Sequence, residues 1–142
     1  MEIRLGSLDE ALRVHNQIEE LLPISDSCYF SERIADKKFL LLVAEIDNAL
    51  VGYKLGYWLD DNCFYSWLGG VHPDYRKRGI AKALLLEQER HVGERGTKEI
   101  RVKSMNQYRS MLLLLIAQGY AITGVHVNAQ GKEKIHFAKK LV

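Results

Sequence analysis

Cysteine and proline are scarce in this chain of 142 residues, with 2 of each. Cys28 and Cys63 are too few for a disulfide framework or a four-cysteine zinc site, and two free thiols fit a reducing compartment. Only Pro23 and Pro73 interrupt the chain, and it has no internal repeat or low-complexity tract, so its elements follow one another closely. No apolar run approaches the roughly 20 residues of a membrane span, and Met1-Glu2-Ile3-Arg4-Leu5 lacks the apolar centre of a signal peptide. An excess of one charge is missing too: 20 Lys and Arg against 18 Asp and Glu leave a net +2. That is too little to argue for a nucleic-acid or membrane partner. What is present is ordinary for a globular domain, 47% hydrophobic and 27% charged residues. A domain of this length buries roughly 68–70% of its unfolded surface. The expectation is a single domain over residues 1–142, in the cytoplasm.

Residues 2–5 read as a short strand. Ser7 caps a helix, Glu10 completes a capping box, and Leu8, Ala11, Leu12, His15, Ile18 and Leu22 carry one apolar face toward Pro23. Residues 23–31 are turn-rich, and Ser31 is placed as the cap of a short helix reaching Asp36. Residues 39–46 are continuously apolar and end at Asp47-Asn48, which suits a buried strand. Val51, Tyr53, Leu55 and Tyr57 alternate with Gly52, Lys54, Gly56 and Trp58 in a second strand, and Asp60-Asp61-Asn62 turns the chain into a third over 64–71. Residues 79–92 form a helix stopped by Gly93 and Gly96. Ile100 and Val102 alternate with Arg101 and Lys103 in a strand, and Tyr108, Met111, Leu112, Leu115, Ile116 and Gly119 mark a helix with a buried stripe. Strands over 120–127 and 133–141 close the chain around Asn128-Ala129-Gln130-Gly131. The order β-α-α-β-β-β-α-β-α-β-β predicts a mixed α/β fold with a central sheet.

Chemistry is concentrated in residues 69–86, GGVHPDYRKRGIAKALLL. A strand ends at Val71, a loop carries Pro73 and the bases Arg76, Lys77 and Arg78, and Gly79 opens a helix. A helix N-terminus offers unpaired N–H groups and the positive end of its dipole, and a glycine there lets an anion approach the backbone. The spacing is neither that of a P-loop nor that of a dinucleotide fingerprint. It suits a phosphate or pyrophosphate, or else a helix cap with a solvated basic run. Asp74, Glu87 and Glu89 flank the bases, so no broad basic face for nucleic acid results.

Arg76-x-x-Gly79-x-Ala81, after Val71-x-Pro73-x-Tyr75 and before Ala83-Leu84-Leu85, resembles the acyl-CoA-binding motif of the GNAT superfamily of N-acetyltransferases, V-x-P-x-x-[QR]-x-x-G-x-[GA]-x-x-L. Asn106, followed by a helix ending Gln118-Gly119-Tyr120, is similar to that family's second CoA-side motif, and the element order is the family's. The resemblance implies a GNAT-like fold: a central twisted, mostly antiparallel sheet of about seven strands with helices on both faces. It implies acetyl-CoA as cosubstrate, no metal, and an amine acceptor, small molecule or protein, that attacks the thioester directly. The N–H groups from Lys77 through Gly79, Ile80 and Ala81 to Lys82 would cradle the pyrophosphate, with Arg76 and Arg78 adding charge beside it. In this family the motif strand splays from its neighbour, and Gly70 and Val71 match the residues whose backbone pairs with the pantetheine arm. An N–H near Val71 would polarise the thioester carbonyl, and Asn106 would hold the far side of the arm. Homodimers are common in the family, so a second copy of the chain is an expected partner, while nucleic acid and membrane are not.

The family pattern breaks in two places. The tyrosine that often reprotonates the CoA thiolate is here Leu115. The glutamate that often serves as general base on the motif strand has no counterpart in residues 64–70. Tyr65 is the nearest polar residue with reach and stands as the candidate catalytic residue, although a ring packed on the sheet explains it as well. His72 and His126 have suitable intrinsic pKa values but read as a loop and a late-strand residue. Glu19, Glu20, Asp26, Glu32, Asp60 and Asp61 on the expected acceptor side favour a cationic amine, or are solvated surface charge. Trp58, Trp67, Tyr53 and Tyr57 form an aromatic wall or pack a core. These breaks keep open an alternative, a GNAT-fold protein that binds CoA with little or no turnover.

Overall fold

Seven strands and four helices follow in the expected order in a computed structural model that describes residues 1–21, 23–24 and 26–141. The strands are β1 (Glu2–Leu5), β2 (Phe39–Ile46), β3 (Ala49–Asp60), β4 (Cys63–Val71), β5 (Glu99–Ser104), β6 (Ala121–Val127) and β7 (Glu133–Lys140). The helices are α1 (Leu8–His15), α2 (Cys28–Ile34), α3 (Ile80–Glu94) and α4 (Arg109–Ala117), with a 3₁₀ turn, Pro73–Tyr75, ahead of α3. One sheet takes the order β1-β2-β3-β4-β5-β7-β6, and only β4 and β5 run parallel. Asp47 and Asn48 join β2 to β3 with φ 50° and 65°, the double left-handed turn that matches the twist of a tight hairpin.

Alternation along the strands sends side chains to two cores. On one face Leu42, Ala44, Phe64 and Ile100 pack against Leu84 and Leu85 of α3 and Leu115 of α4. On the other, Val43, Tyr53 and Leu55 pack against Ala11 and Val14 of α1 and Phe30 of α2. The sheet is therefore the middle of three layers.

Two helix boundaries differ from expectation. The capping box at Ser7 forms, with Glu10 N donating to Ser7 Oγ at 3.2 Å and Ser7 N donating to Glu10 Oε1 at 3.0 Å. Yet α1 stops at His15, because the Asn16 side chain takes over the backbone of Ile24: Nδ2 donates to its carbonyl at 2.8 Å and Oδ1 accepts from its N–H at 2.9 Å. Those bonds turn the chain back on itself, while Ile18 stays buried outside the helix. Leu22, assigned to the same apolar face, lies outside the described residues. The second helix starts at Cys28 with Ser27 as N-cap, placing Phe30 and Ile34 inward. Ser31 is therefore inside α2, where its hydroxyl donates to the Cys28 carbonyl at 3.3 Å.

Candidate functional site

β4 and β5 pair only from Cys63–Glu99 to Ser66–Val102. Beyond that point β4 stays with β3 as far as Val71, and β5 stays with β7, so a fork opens after Ser66. Leu55 pairs with Leu68 but Gly56 with Ser66, leaving Trp67 as the extra residue of a bulge; a bulge bends and twists its strand, here at the mouth of the fork.

The His72 N–H donates to the Val51 carbonyl at 2.7 Å, which sets the phase of the strand before it. Backbone groups of successive residues point to opposite sides, so Gly70 turns its N–H and C=O toward β3, while Gly69 and Val71 turn theirs into the fork. The backbone groups of Val71 thus face the fork. Gly70 requires a correction: its N–H and C=O are turned to β3, and a Cβ there would lie 2.4 Å from Ile18 Cδ1. Gly69 was missed, because sequence alone gives the alternation but not its phase.

Past the 3₁₀ turn, Lys77 and Gly79 both take left-handed backbone, φ 63° and 77°, uncommon for a lysine. Gly79 is the N-cap of α3, no side chain caps the helix, and a Cβ on Gly79 would meet nothing within 4 Å. The first N–H groups of α3, on Ile80, Ala81 and Lys82, are left to an external acceptor at the positive end of a 15-residue helix. Of the bases, Arg78 lies over the Tyr75 ring, 5.0 Å from its centroid. Arg76 is engaged elsewhere: Nη1 and Nη2 donate to Glu20 Oε1 and Oε2 at 2.7 and 2.8 Å. Its guanidinium is held by the α1–α2 connection, a correction to its placement beside the pyrophosphate. An open helix N-terminus next to a strand edge with free N–H and C=O groups fits a ligand that has a diphosphate and an amide-bearing arm.

On the α1–α2 face the fork is bordered by rings. Tyr29 stacks on Trp67 at 5.6 Å, and Tyr57 meets Tyr65 edge-on at 5.5 Å. Arg33 lies 4.9 Å from the Trp67 centroid and donates from Nε to the Tyr57 hydroxyl at 3.0 Å. Lys37 lies 5.5 Å over Tyr57, and Lys103, across the fork on β5, 5.5 Å over Tyr65. Tyr57 and Trp67 thus belong to the aromatic wall. Tyr53 is a core residue, its hydroxyl 2.7 Å from His15 Nδ1, and Trp58 packs on Phe64 on the opposite face. The charge on these rings is cationic, contrary to the acidic surround expected: Glu20 is paired with Arg76, and Asp60 serves the β3–β4 turn by accepting from Asn62 N at 2.7 Å. Burial pushes the Tyr65 phenol above its ordinary value, so it remains protonated and able to donate. His72 caps the 3₁₀ turn, Nδ1 accepting from Asp74 N at 3.1 Å, and His126 meets His136 at the far edge of the sheet.

The α3–α4 face carries buried polar groups. Ser66, Ser104, Lys54 and Gln88 are all buried, and neither Oε1 nor Nε2 of Gln88 has a hydrogen-bond partner among the described residues. Burial lowers the Lys54 ammonium to about 8, against an opposing pull from Glu89. Leu115 is wholly buried in this layer, so that position offers no proton. Asn106 is exposed in the β5–α4 loop and lines, with Gln107, Gly131 and Lys132, a cleft of about 140 Å³ against the β6–β7 turn. Among the described residues no cluster of His, Cys, Asp or Glu could hold a metal ion, and no helix is long and apolar enough to cross a membrane.

Residues 9–113 match the Acetyltransferase (GNAT) family, and the chain belongs to it. An acetyltransferase of Yersinia pestis (strain Pestoides F) is 33% identical over 106 residues, covering 72% of this chain and 74% of that one. Among solved structures, an aminoglycoside 6'-N-acetyltransferase complexed with coenzyme A superposes at TM-score 0.82 and 17% identity, over 100% of this chain and 98% of that one. The ribosomal-protein-S18-alanine N-acetyltransferase from Escherichia coli superposes at TM-score 0.84 and 15% identity, over 99% and 93%. The fold is the GNAT fold, a mostly antiparallel seven-stranded sheet with helices on both faces.

Proposed function

We propose that residues 1–142 form one acyl-CoA N-acyltransferase domain that moves an acetyl group from acetyl-CoA to an amine by direct attack on the thioester. One juxtaposition carries this reading: the free edge of β4 at Gly69 and Val71 leads within one short loop to the uncapped N-terminus of α3 behind Gly79. Acetyl-CoA supplies the activated acyl group. The N–H groups of Lys77, Ile80, Ala81 and Lys82 take the pyrophosphate, with Arg78 alongside. Gly69 and Val71 pair with the arm, one of their N–H groups polarises the thioester carbonyl, and Asn106 borders the other side.

The acceptor meets the rings of Tyr57, Tyr65 and Trp67, where the Tyr65 hydroxyl orients it. Arg33, Lys37 and Lys103 over those rings support an acceptor, small molecule or protein, that carries an anionic group beside its amine. β6 is exposed along its whole length at the sheet edge, which supports pairing with a second copy of the chain. The burial of Leu115 favours one alternative, CoA binding with little or no turnover.

Calorimetric titration with acetyl-CoA, followed by thiol release with amines that have and lack a carboxylate or phosphate, separates the two. Binding with release for one amine class supports the enzyme, and binding with no release favours the alternative. A folded protein that does not bind acetyl-CoA overturns both.

A further inference from the structure

We propose that Lys54 gives the proton that the departing CoA sulfur takes up, the role for which Leu115 offers no group; this rests on the acetyl-transfer reading above. Lys54 stands on β3 in register with Gly69 on β4, on the sheet face shared with Leu42 of β2. Gly69 has no side chain to hold it off: a Cβ there would lie 3.4 Å from Lys54 Cγ. The four-carbon stem therefore lies across β4 at the residue whose N–H and C=O open into the fork.

The residue is only 6% exposed, and among the described residues its ammonium makes no hydrogen bond or ion pair. Its Nζ is not among the sealed polar atoms that lack a partner, so the ammonium keeps a contact with solvent, yet enclosure without a hydrogen bond is still costly to the fold. Glu89 of α3 is the one titrating group that acts on it, and Glu89 already accepts from the Tyr120 hydroxyl and the Lys139 ammonium, each at 2.9 Å. Its neighbours in register, Leu42 and Gly69, carry no charge. Among the described residues a cation so placed has only the shared Glu89 carboxylate as counter-charge, and it would gain a second when a thiolate forms in the fork.

The step balances without a further reagent. The acceptor nitrogen bonds the thioester carbon, the C–S bond breaks, and its electron pair leaves on sulfur. A proton passes from Lys54 Nζ to that sulfur, giving the CoA thiol and a neutral amine. The proton shed by the acylated nitrogen returns to Lys54 through solvent. Burial that brings the ammonium to about 8 matches it to a thiol of roughly 8.5, so the transfer is nearly thermoneutral.

The test needs only CoA. Wild type, Lys54→Met and Lys54→Gln are loaded with CoA, and ionisation of the bound thiol is followed by ultraviolet absorbance from about pH 6 to 10. In wild type the thiol should ionise up to about one pH unit below that of free CoA, a depression small enough to keep transfer from the ammonium close to balanced. In both variants that depression should vanish, while acetyl-CoA, which has no ionisable thiol, binds with unchanged affinity. A merely structural lysine would not move this readout. Equal thiol ionisation in all three proteins overturns the role of Lys54 and leaves the acetyl-transfer reading standing. Folded wild type that binds neither CoA nor acetyl-CoA overturns both. Should neither variant fold, wild type alone decides, because a bound thiol that ionises like free CoA overturns the proposal.

Discussion

Glu20, in the connection between α1 and α2, grips Arg76 through two parallel hydrogen bonds of 2.7 and 2.8 Å, tying the loop ahead of α3 to the opposite layer of the sheet. This pairing holds the Glu20 carboxyl down to about 2. Both side chains are substantially exposed, 42% and 51%, so the pair contributes less than about 1 kcal/mol to stability. On the proposed placement of the pyrophosphate, its larger effect is there, since it occupies a guanidinium and places a carboxylate nearby. Glu20→Gln should therefore leave Tm nearly unchanged and tighten acetyl-CoA binding by about two- to fivefold at low salt, a gain that fades as salt screens it. Calorimetry at two ionic strengths checks this, and weaker binding would show that the bridge serves to shape the loop.

Gly79 combines open space with a left-handed φ of 77°. Gly79→Val should cost about 1–2 kcal/mol from backbone strain alone, and the branched side chain would occupy the approach to the α3 N–H groups. Acetyl-CoA affinity should fall more than the stability loss accounts for. A folded Gly79→Val protein with wild-type affinity would remove the pyrophosphate from this helix end.

The Tyr65 phenol, pushed up by burial, is a hydrogen-bond donor at neutral pH. Tyr65→Phe should lower kcat/KM by about tenfold or less, the effect of one lost hydrogen bond, with no shift of the pH–rate profile. Loss of the limb that rises with pH would instead make Tyr65 the general base.

The sheet was legible because its strands announce themselves locally: the alternation from Val51 to Trp58, the apolar run before Asp47-Asn48 and the turn at Asp60-Asp61-Asn62 all coincide with what forms. The end of α1 was not, since the apolar spacing through Ile18 continues past Asn16, and only the long-range bonds from Asn16 to Ile24 reveal the break. At the site, the spacing of Arg76, Gly79 and Ala81 located the helix end. It did not show that Arg76 turns away to Glu20, nor whether Gly69 or Gly70 faces the fork, because both depend on partners distant in sequence. Alternation put Lys54 on the face opposite Tyr53 and Leu55 without showing that this face is covered too. Lys54 is inward because a strand in the middle of three layers has no outward side.

Arg4 binds Glu10 at 3.1 and 2.6 Å and Glu45 at 2.8 Å, clasping β1 to α1 and β2. The guanidinium, helped by the Ser7 N–H, holds the Glu10 carboxyl at about 2 instead of 4.5. A folded-state value below the unfolded one means that this contribution is complete above about pH 4.5 and is lost as pH falls toward 2. Allowing for solvent screening it is worth about 1–2 kcal/mol. Tm of Glu10→Gln should be lower than wild type at neutral pH and converge with it toward pH 2; parallel curves would deny the linkage.

Lys54 gives the opposite sign. Its folded value, about 8 against an ordinary 10.5, means the unfolded chain holds the extra proton between those limits, so stability rises with pH across that window. The penalty below pH 8 is at most about 3 kcal/mol. Lys54→Met, similar in length and free of charge, should raise Tm near pH 7 and lack the alkaline rise seen in wild type. The comparison is the difference between the two proteins, since the other lysines titrate in both. Glu89 remains held by Tyr120 and Lys139 in the variant, so no carboxylate is left unpaired to mask the gain. A methionine that strengthens the fold yet abolishes the depression of the bound thiol would assign this lysine to chemistry and not to packing. A methionine that weakens the fold would mean the ammonium has a partner in solution, and the alkaline limb of the stability curve would then fall instead of rising.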